Sequence, residues 1–191
     1  CGGVPALLER WPGLPVFAPD DSRIALDCER VGEGSCLQLL DQHVRVLSVP
    51  GHTRSHVAYL VHGHLFCGDT LFSLGCGRMF EGTAAQMHGS LQRLAALPGD
   101  TRVCCGHEYT LANARFACEV EPDNAALALR RAEAVRQRAS AVPTLPTTLA
   151  SERDCNPFLR CDIATVRDAV AHRLGRAPAD EVETFAALRG W

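Results

Sequence analysis

The chain of 191 residues is 47% hydrophobic and carries 19 basic and 22 acidic side chains, for a formal charge of −3. This composition suits a globular fold of one large or two small domains and excludes a disordered chain, and charges so dispersed offer no basic stripe to follow a phosphate backbone, so nucleic acid is not an expected partner. No stretch approaches the ~20 apolar residues of a membrane span and no signal-peptide pattern opens the sequence, so a cytoplasmic protein is expected, its ten cysteines reading as reduced, buried thiols rather than a secreted disulfide framework.

Val4 to Arg10 reads as a short helix on the spacing of Leu7 and Leu8, stopped by Trp11-Pro12-Gly13, and Leu14 to Ala18 reads as a short strand. Cys36 to Leu40 and Val44 to Val49 read as strands around Asp41-Gln42-His43, while Val57 to Val61 and Leu65 to Cys67 flank a tight His62-Gly63-His64 turn. Successive hairpins predict an antiparallel sheet. Met87 to Leu97 has helical periodicity and ends at Pro98-Gly99, and Arg102 to Cys105 is an apolar strand that runs straight into Gly106-His107. The character then changes. Leu111 to Val120, Ala125 to Ala139, Ile163 to Leu174 and Asp180 to Leu188 read as helices, the third entered at Asp162 as an N-cap, with Pro143 to Pro146 as a connector. A domain boundary falls near Glu108.

Pro50-Gly51-His52, Cys67-Gly68-Asp69 and Cys105-Gly106-His107 each place one metal-ligand residue type at the end of a predicted strand. In each, a glycine precedes the ligand and permits the turn that lets a side chain leave the sheet for a shared cleft. Two imidazoles and a carboxylate suit zinc, and equally iron or manganese. These residues are too few to hold two metals, although Asp69 is the kind of group that bridges a pair. Rival chemistries lack their residues: there is no Gly-x-Ser-x-Gly elbow and no phosphate-cradling loop, and after His107-Glu108 a leucine, Leu111, stands where a zincin needs its second histidine. Cys104 and Cys105 beside His107 invite a cysteine hydrolase, but adjacent strand residues face opposite ways and both sit in an apolar run. His62 and His64 read as solvated turn residues, and His56 as a support for the ligands or a simple strand start.

Taken together, Pro50-Gly51-His52-Thr53, Phe66-Cys67-Gly68-Asp69-Thr70-Leu71-Phe72, Gly75-Cys76-Gly77-Arg78 with Phe80-Glu81-Gly82-Thr83, Gly106-His107-Glu108-Tyr109-Thr110 and Asn156-Pro157-Phe158-Leu159-Arg160 resemble the glyoxalase II family, the hydroxyacylglutathione hydrolases. The resemblance implies an α/β fold: a metallo-β-lactamase-like αββα sandwich over residues 1–108, incomplete at its start, followed by an α-helical glutathione-binding domain over 109–191. Two divalent metal ions are implied, zinc first, with His52 serving one, His107 the other and Asp69 bridging them. The family's remaining ligands come from a His-x-His-x-Asp-His motif just before a pair of glycines; because Cys1-Gly2-Gly3 opens this chain, a fragment of a longer protein is expected, with an apolar sheet face left open.

For substrate, the resemblance implies contacts from Arg78, Tyr109 and Arg189, with Phe80 standing where some members carry a tyrosine and Phe158 and Leu159 packing the helices onto the sheet. The implied reaction is attack of a metal-bridging hydroxide on the thioester of S-D-lactoylglutathione, releasing D-lactate and glutathione in methylglyoxal detoxification, by a monomer in the full-length protein. The alternatives are a persulfide dioxygenase-like enzyme with a single iron, against which the long helical appendix argues, and a non-catalytic glutathione-binding fragment.

Overall fold

The computed structural model describes residues 2–191; Cys1, first of the Cys1-Gly2-Gly3 segment, lies outside the described residues. Helix α1 (Val4–Arg10) spans the expected residues, yet none of them is buried. Strand β1 (Phe17–Pro19) begins later than the apolar run from Leu14 suggests, and it pairs in parallel with β2 (Glu29–Val31). In β2 only Val31 is buried, so the sequence holds no alternation that would announce it.

A β-meander follows: β3 (Cys36–Leu39), β4 (Gln42–Ser48), β5 (Val57–Val61) and β6 (His64–Gly68), each antiparallel to the last. The first turn is Leu40-Asp41, not Asp41-Gln42-His43. Both residues hold positive φ, 48° and 60°, and Leu39 pairs with Gln42, so two residues suffice to reverse the chain. His62 and Gly63 make the second turn in the same way, at φ 46° and 72°.

After β6 the chain forms a small hairpin, β7 (Leu71–Phe72) and β8 (Gly75–Cys76), then α2 (Ala84–Ala95) and β9 (Arg102–Cys105). Helix α2 starts earlier than its apolar period indicates because Thr83 and Gln86 form a capping box, each side chain bonding the other's backbone N–H. It crosses over the sheet and delivers β9 parallel to β6. The sheet is therefore mixed rather than wholly antiparallel, as expected whenever a helix joins two strands of one sheet.

The rest is helical apart from one return to the sheet. Helices α3 (Thr110–Val120) and α4 (Ala125–Ala139) are followed by β10 (Thr147–Thr148), which adds to the edge at β9, and then by α5 (Leu149–Cys155). The segment after Pro143 to Pro146 is thus an edge strand and a helix, neither read from sequence. Helix α5 escaped notice because its buried positions are Leu149, Glu152 and Cys155: a carboxylate interrupts the apolar stripe. A 3₁₀ turn (Pro157–Leu159), α6 (Ala164–Leu174) and α7 (Glu181–Arg189) complete the chain. The N-cap of α6 is Ile163 without a side-chain bond, not Asp162, whereas Asp180 caps α7 as its sequence suggests. Of the nine cysteines among the described residues, all free, Cys67, Cys76, Cys155 and Cys161 are buried but Cys36 is exposed.

Alternation along the strands sorts side chains onto two faces. One face carries Leu47, Ala58, Leu65, Cys67 and Val103 into a core shared with Met87, Leu91 and Leu94 of α2 and with Phe158, Val166, Phe185 and Leu188. Phe158 and Phe185 meet edge to face at 5.8 Å, so the motif Asn156-Pro157-Phe158-Leu159 packs the helices onto the layer covering the sheet. The other face gathers Val31, Val44, Val46 and Val57 and leaves Phe66 47% exposed. Truncation of Phe185 to alanine is expected to destabilise the fold by roughly 3–5 kcal/mol, read as a lowered midpoint in urea unfolding.

Candidate metal centre and substrate cleft

Strand β4 is antiparallel to β5, β5 to β6, and β6 is parallel to β9. The C-terminal ends of β4, β6 and β9 therefore share one edge, and those ends carry His52, Asp69 and His107. Topology alone brings together three residues separated widely in sequence.

The glycines beside them serve different needs. Gly68 holds φ +51°, and a side chain there would meet His56 Nε2 at 2.7 Å, so both conformation and space demand glycine. Gly106 has ordinary φ; its reason is room, since a Cβ would lie 2.5 Å from Asp69 Oδ1. Gly77, in the next motif along the chain, is the tightest: a Cβ there would overlap the Asp69 carbonyl oxygen.

Asp69 Oδ2 stands 3.6 Å from His52 Nε2 and 3.4 Å from His107 Nε2. Two ligands of one tetrahedral ion, at bond lengths of ~2.0–2.1 Å, have donor atoms about 3.3 Å apart, so each pair fits a common divalent ion. Among the described residues no set of three or more His, Cys, Asp or Glu side chains closes on one point where an ion could sit; the arrangement is two pairs sharing one carboxylate oxygen. The tautomer also fits. His52 Nδ1 lies 2.8 Å from the Arg78 carbonyl oxygen, which can only accept, so Nδ1 carries the proton and Nε2 presents its lone pair toward Asp69. His56 packs edge-on to His52 at 5.8 Å and bonds the Cys67 carbonyl at 3.3 Å; burial lowers its pKa, so it supports the ligand loops as a neutral ring.

A cleft of about 420 Å³ opens over these residues, and its walls include the three candidate ligands, His52, Asp69 and His107, with the candidate substrate contacts Arg78, Phe80, Tyr109 and Arg189. His107 and Tyr109 are stacked, with centroids 4.9 Å apart and planes 10° apart, and Phe72 meets both edge-on. Phe80 packs edge-on to His52 at 5.0 Å. Arg189 lines the cleft, and its Nε is buried without a hydrogen-bond partner. Phe72, Cys76 and Asn113 also line the cleft but were not identified from sequence. Asn113 follows Tyr109 by four residues at the start of α3, a helical spacing that could have flagged it.

The cleft thiol is not a nucleophile: burial pushes Cys76 up to about 12 and also raises Cys104 and Cys105, so all three stay protonated at neutral pH.

Residues 31–107 match the family model described as the metallo-beta-lactamase superfamily, and residues 108–191 match that of the hydroxyacylglutathione hydrolase C-terminus. The chain is 59% identical to a hydroxyacylglutathione hydrolase of Xylella fastidiosa (strain M23), over 100% of this chain and 74% of that protein. It is 60% identical to one from Xanthomonas axonopodis pv. citri (strain 306), with the same coverage. Among solved structures, ETHE1 from Myxococcus xanthus superposes with TM-score 0.60 at 23% identity, over 98% of this chain and 70% of that one. The BLEG-1 B3 metallo-beta-lactamase gives 0.57 at 22%, over 83% and 70%. At these identities the two structures are similar in fold.

Gly77→Ala is expected to displace Asp69, lower stability by about 2 kcal/mol and reduce the metal content of the purified protein. Gly89→Ala serves as control: it lies in α2 with nothing within 4 Å of a new Cβ, so a gain of about 0.5–1 kcal/mol is expected. Thermal midpoints and metal analysis of both variants check this.

Proposed function

The chain belongs to the hydroxyacylglutathione hydrolase family of the metallo-beta-lactamase superfamily, and from that membership we propose that the cleft around Asp69 is where a glutathione thioester is bound and cleaved. The activity is that of glyoxalase II, a hydrolase that splits S-D-lactoylglutathione into D-lactate and glutathione. The observation that carries the assignment of the site is the convergence of His52 and His107 on one oxygen of Asp69.

Membership implies divalent metal, and we assign His52 to one ion, His107 to a second and Asp69 to both, with zinc the preferred metal and iron or manganese compatible with the same donors. Bound there, divalent ions would supply Lewis acidity and lower the pKa of water to ~7. The chain's own residues do the rest. Arg78 and Arg189 grip glutathione carboxylate groups, a task for which the planar guanidinium is suited. Tyr109, held flat against His107, offers its hydroxyl to the peptide backbone of the substrate. Phe80 contributes surface without a hydroxyl. The glutathione thiolate leaves without an obligatory acid, since thiol pKa values lie near ~8.5.

The same proposal divides the chain into a metallo-β-lactamase-like part over 1–108 and a helical glutathione-binding part over 109–191, supported by the two family matches meeting between 107 and 108. It also takes the enzyme to be a cytoplasmic monomer; no helix among the described residues is long and apolar enough to cross a membrane. A persulfide dioxygenase-like enzyme is less well supported, because the hydroxyacylglutathione hydrolase C-terminal match occupies the entire helical part.

The test is thiol release from S-D-lactoylglutathione by the metal-loaded protein. Asp69→Asn is expected to lower kcat at least about a hundredfold together with metal content, and Arg78→Ala to raise KM about tenfold with kcat little changed. Absence of thiol release from metal-replete wild type, or an Arg78→Ala variant with unaltered KM, would overturn the assignment.

A further inference from the structure

Behind the cleft lies a buried polar cluster that the chemistry above does not use. Glu152 on α5 and Asn156 at its C-cap are both 0% exposed. One carboxylate oxygen of Glu152 accepts the Leu74 backbone N–H at 2.7 Å and an Asn156 amide proton at 3.0 Å; the other accepts the Thr147 hydroxyl at 2.9 Å. The Asn156 side-chain amide also donates to the carbonyls of Phe72, at 3.2 Å, and Gly75, at 3.0 Å, while its own oxygen accepts the Phe158 N–H at 3.1 Å.

Three of these partners, Phe72, Leu74 and Gly75, belong to the β7–β8 hairpin. That hairpin is ill equipped to hold its own shape. Its ladder consists of Leu71 opposite Cys76 and Phe72 opposite Gly75, too short to be stable unaided, and Leu74 sits at φ +61°, a left-handed conformation that a leucine resists. Helix α3 adds one more tie, from Asn113 Nδ2 to the Ser73 carbonyl at 2.9 Å. From Cys76 the chain passes directly into Gly77 and Arg78, and the Arg78 carbonyl is the acceptor that orients His52.

We propose that Glu152 and Asn156 are positioning residues for the known reaction: from the helical part, they clasp the β7–β8 hairpin so that Arg78 stands where it meets the substrate carboxylate. The helical part then does more than contribute Tyr109 and Arg189 to the cleft wall; it sets the geometry of the opposite wall.

The inference rests on reading the cleft as the glutathione thioester site, and S-methylglutathione, an uncleavable thioether, tests the two separately. Metal-loaded wild type, Glu152→Ala, Glu152→Gln and Asn156→Ser are compared by calorimetric binding of S-methylglutathione, by KM and kcat for S-D-lactoylglutathione, and by thermal midpoint. Glu152→Gln keeps an oxygen for Leu74 and Asn156 and turns its amide to the Thr147 hydroxyl, so it is expected to stay within about twofold of wild type. Asn156→Ser keeps an oxygen for the Phe158 N–H but loses every bond to the hairpin.

Glu152→Ala and Asn156→Ser are expected to weaken S-methylglutathione binding and raise KM at least about fivefold, with kcat changed by less than about threefold. If Glu152→Ala does not fold, Asn156→Ser carries the comparison. A fall in thermal midpoint with binding and KM unchanged would reduce the pair to a structural role and overturn the inference. Wild type that neither binds S-methylglutathione nor releases thiol from the thioester would instead sink the reading of the cleft, and this inference with it.

Discussion

The site depends on a steric constraint: two segments of backbone approach Asp69 so closely that no side chain fits between them, and a third is held as closely by His56. Gly77 abuts the Asp69 carbonyl, Gly106 its carboxylate, and Gly68 the ring of His56. The carboxylate presents one oxygen, Oδ2, to both His52 and His107. Packing of the surrounding backbone helps to fix that geometry. The sheet supplies the approach by ending β4, β6 and β9 on the same edge, and the glycines make the last few ångströms possible.

Around that centre the chain behaves as one body despite its two family matches. The main core runs without interruption from the strands through α2 to Phe158 and Phe185. A polar seam runs beside it, where Glu121, 5% exposed, binds Arg160 and Thr165, and where Glu108 accepts both the backbone and hydroxyl protons of Thr144. The backbone N–H and hydroxyl of Thr144 hold the Glu108 carboxyl below its ordinary pKa, which keeps it ionised and in place just before Tyr109. The residue that joins the two parts is therefore pinned from the helical side. This gives the stacked His107–Tyr109 pair a fixed floor.

Much of this was legible in the sequence where the signal is local. The convergence of His52, Asp69 and His107 could be read because a glycine before a polar residue at a strand end leaves a compact mark, and the second hairpin because Gly63 favours positive φ. What escaped was either non-local or hidden by chemistry. The parallel pairing of β6 with β9 depends on the path of α2 across the sheet, which no window of residues records. The Leu40-Asp41 turn places an exposed leucine at positive φ, against ordinary turn preferences. Helix α5 was missed because Glu152 occupies a buried position on its apolar face, and the same oddity is what makes it useful. A buried carboxylate breaks the pattern by which helices are recognised, and here it breaks it to hold a neighbouring hairpin.

The two arginines of the cleft have a consequence for the conditions in which such an enzyme works. A guanidinium does not lose its charge in any ordinary buffer, whereas a lysine in the same place titrates near ~10.4. In the proposed site, both cations on the cleft wall, Arg78 and Arg189, are of the first kind.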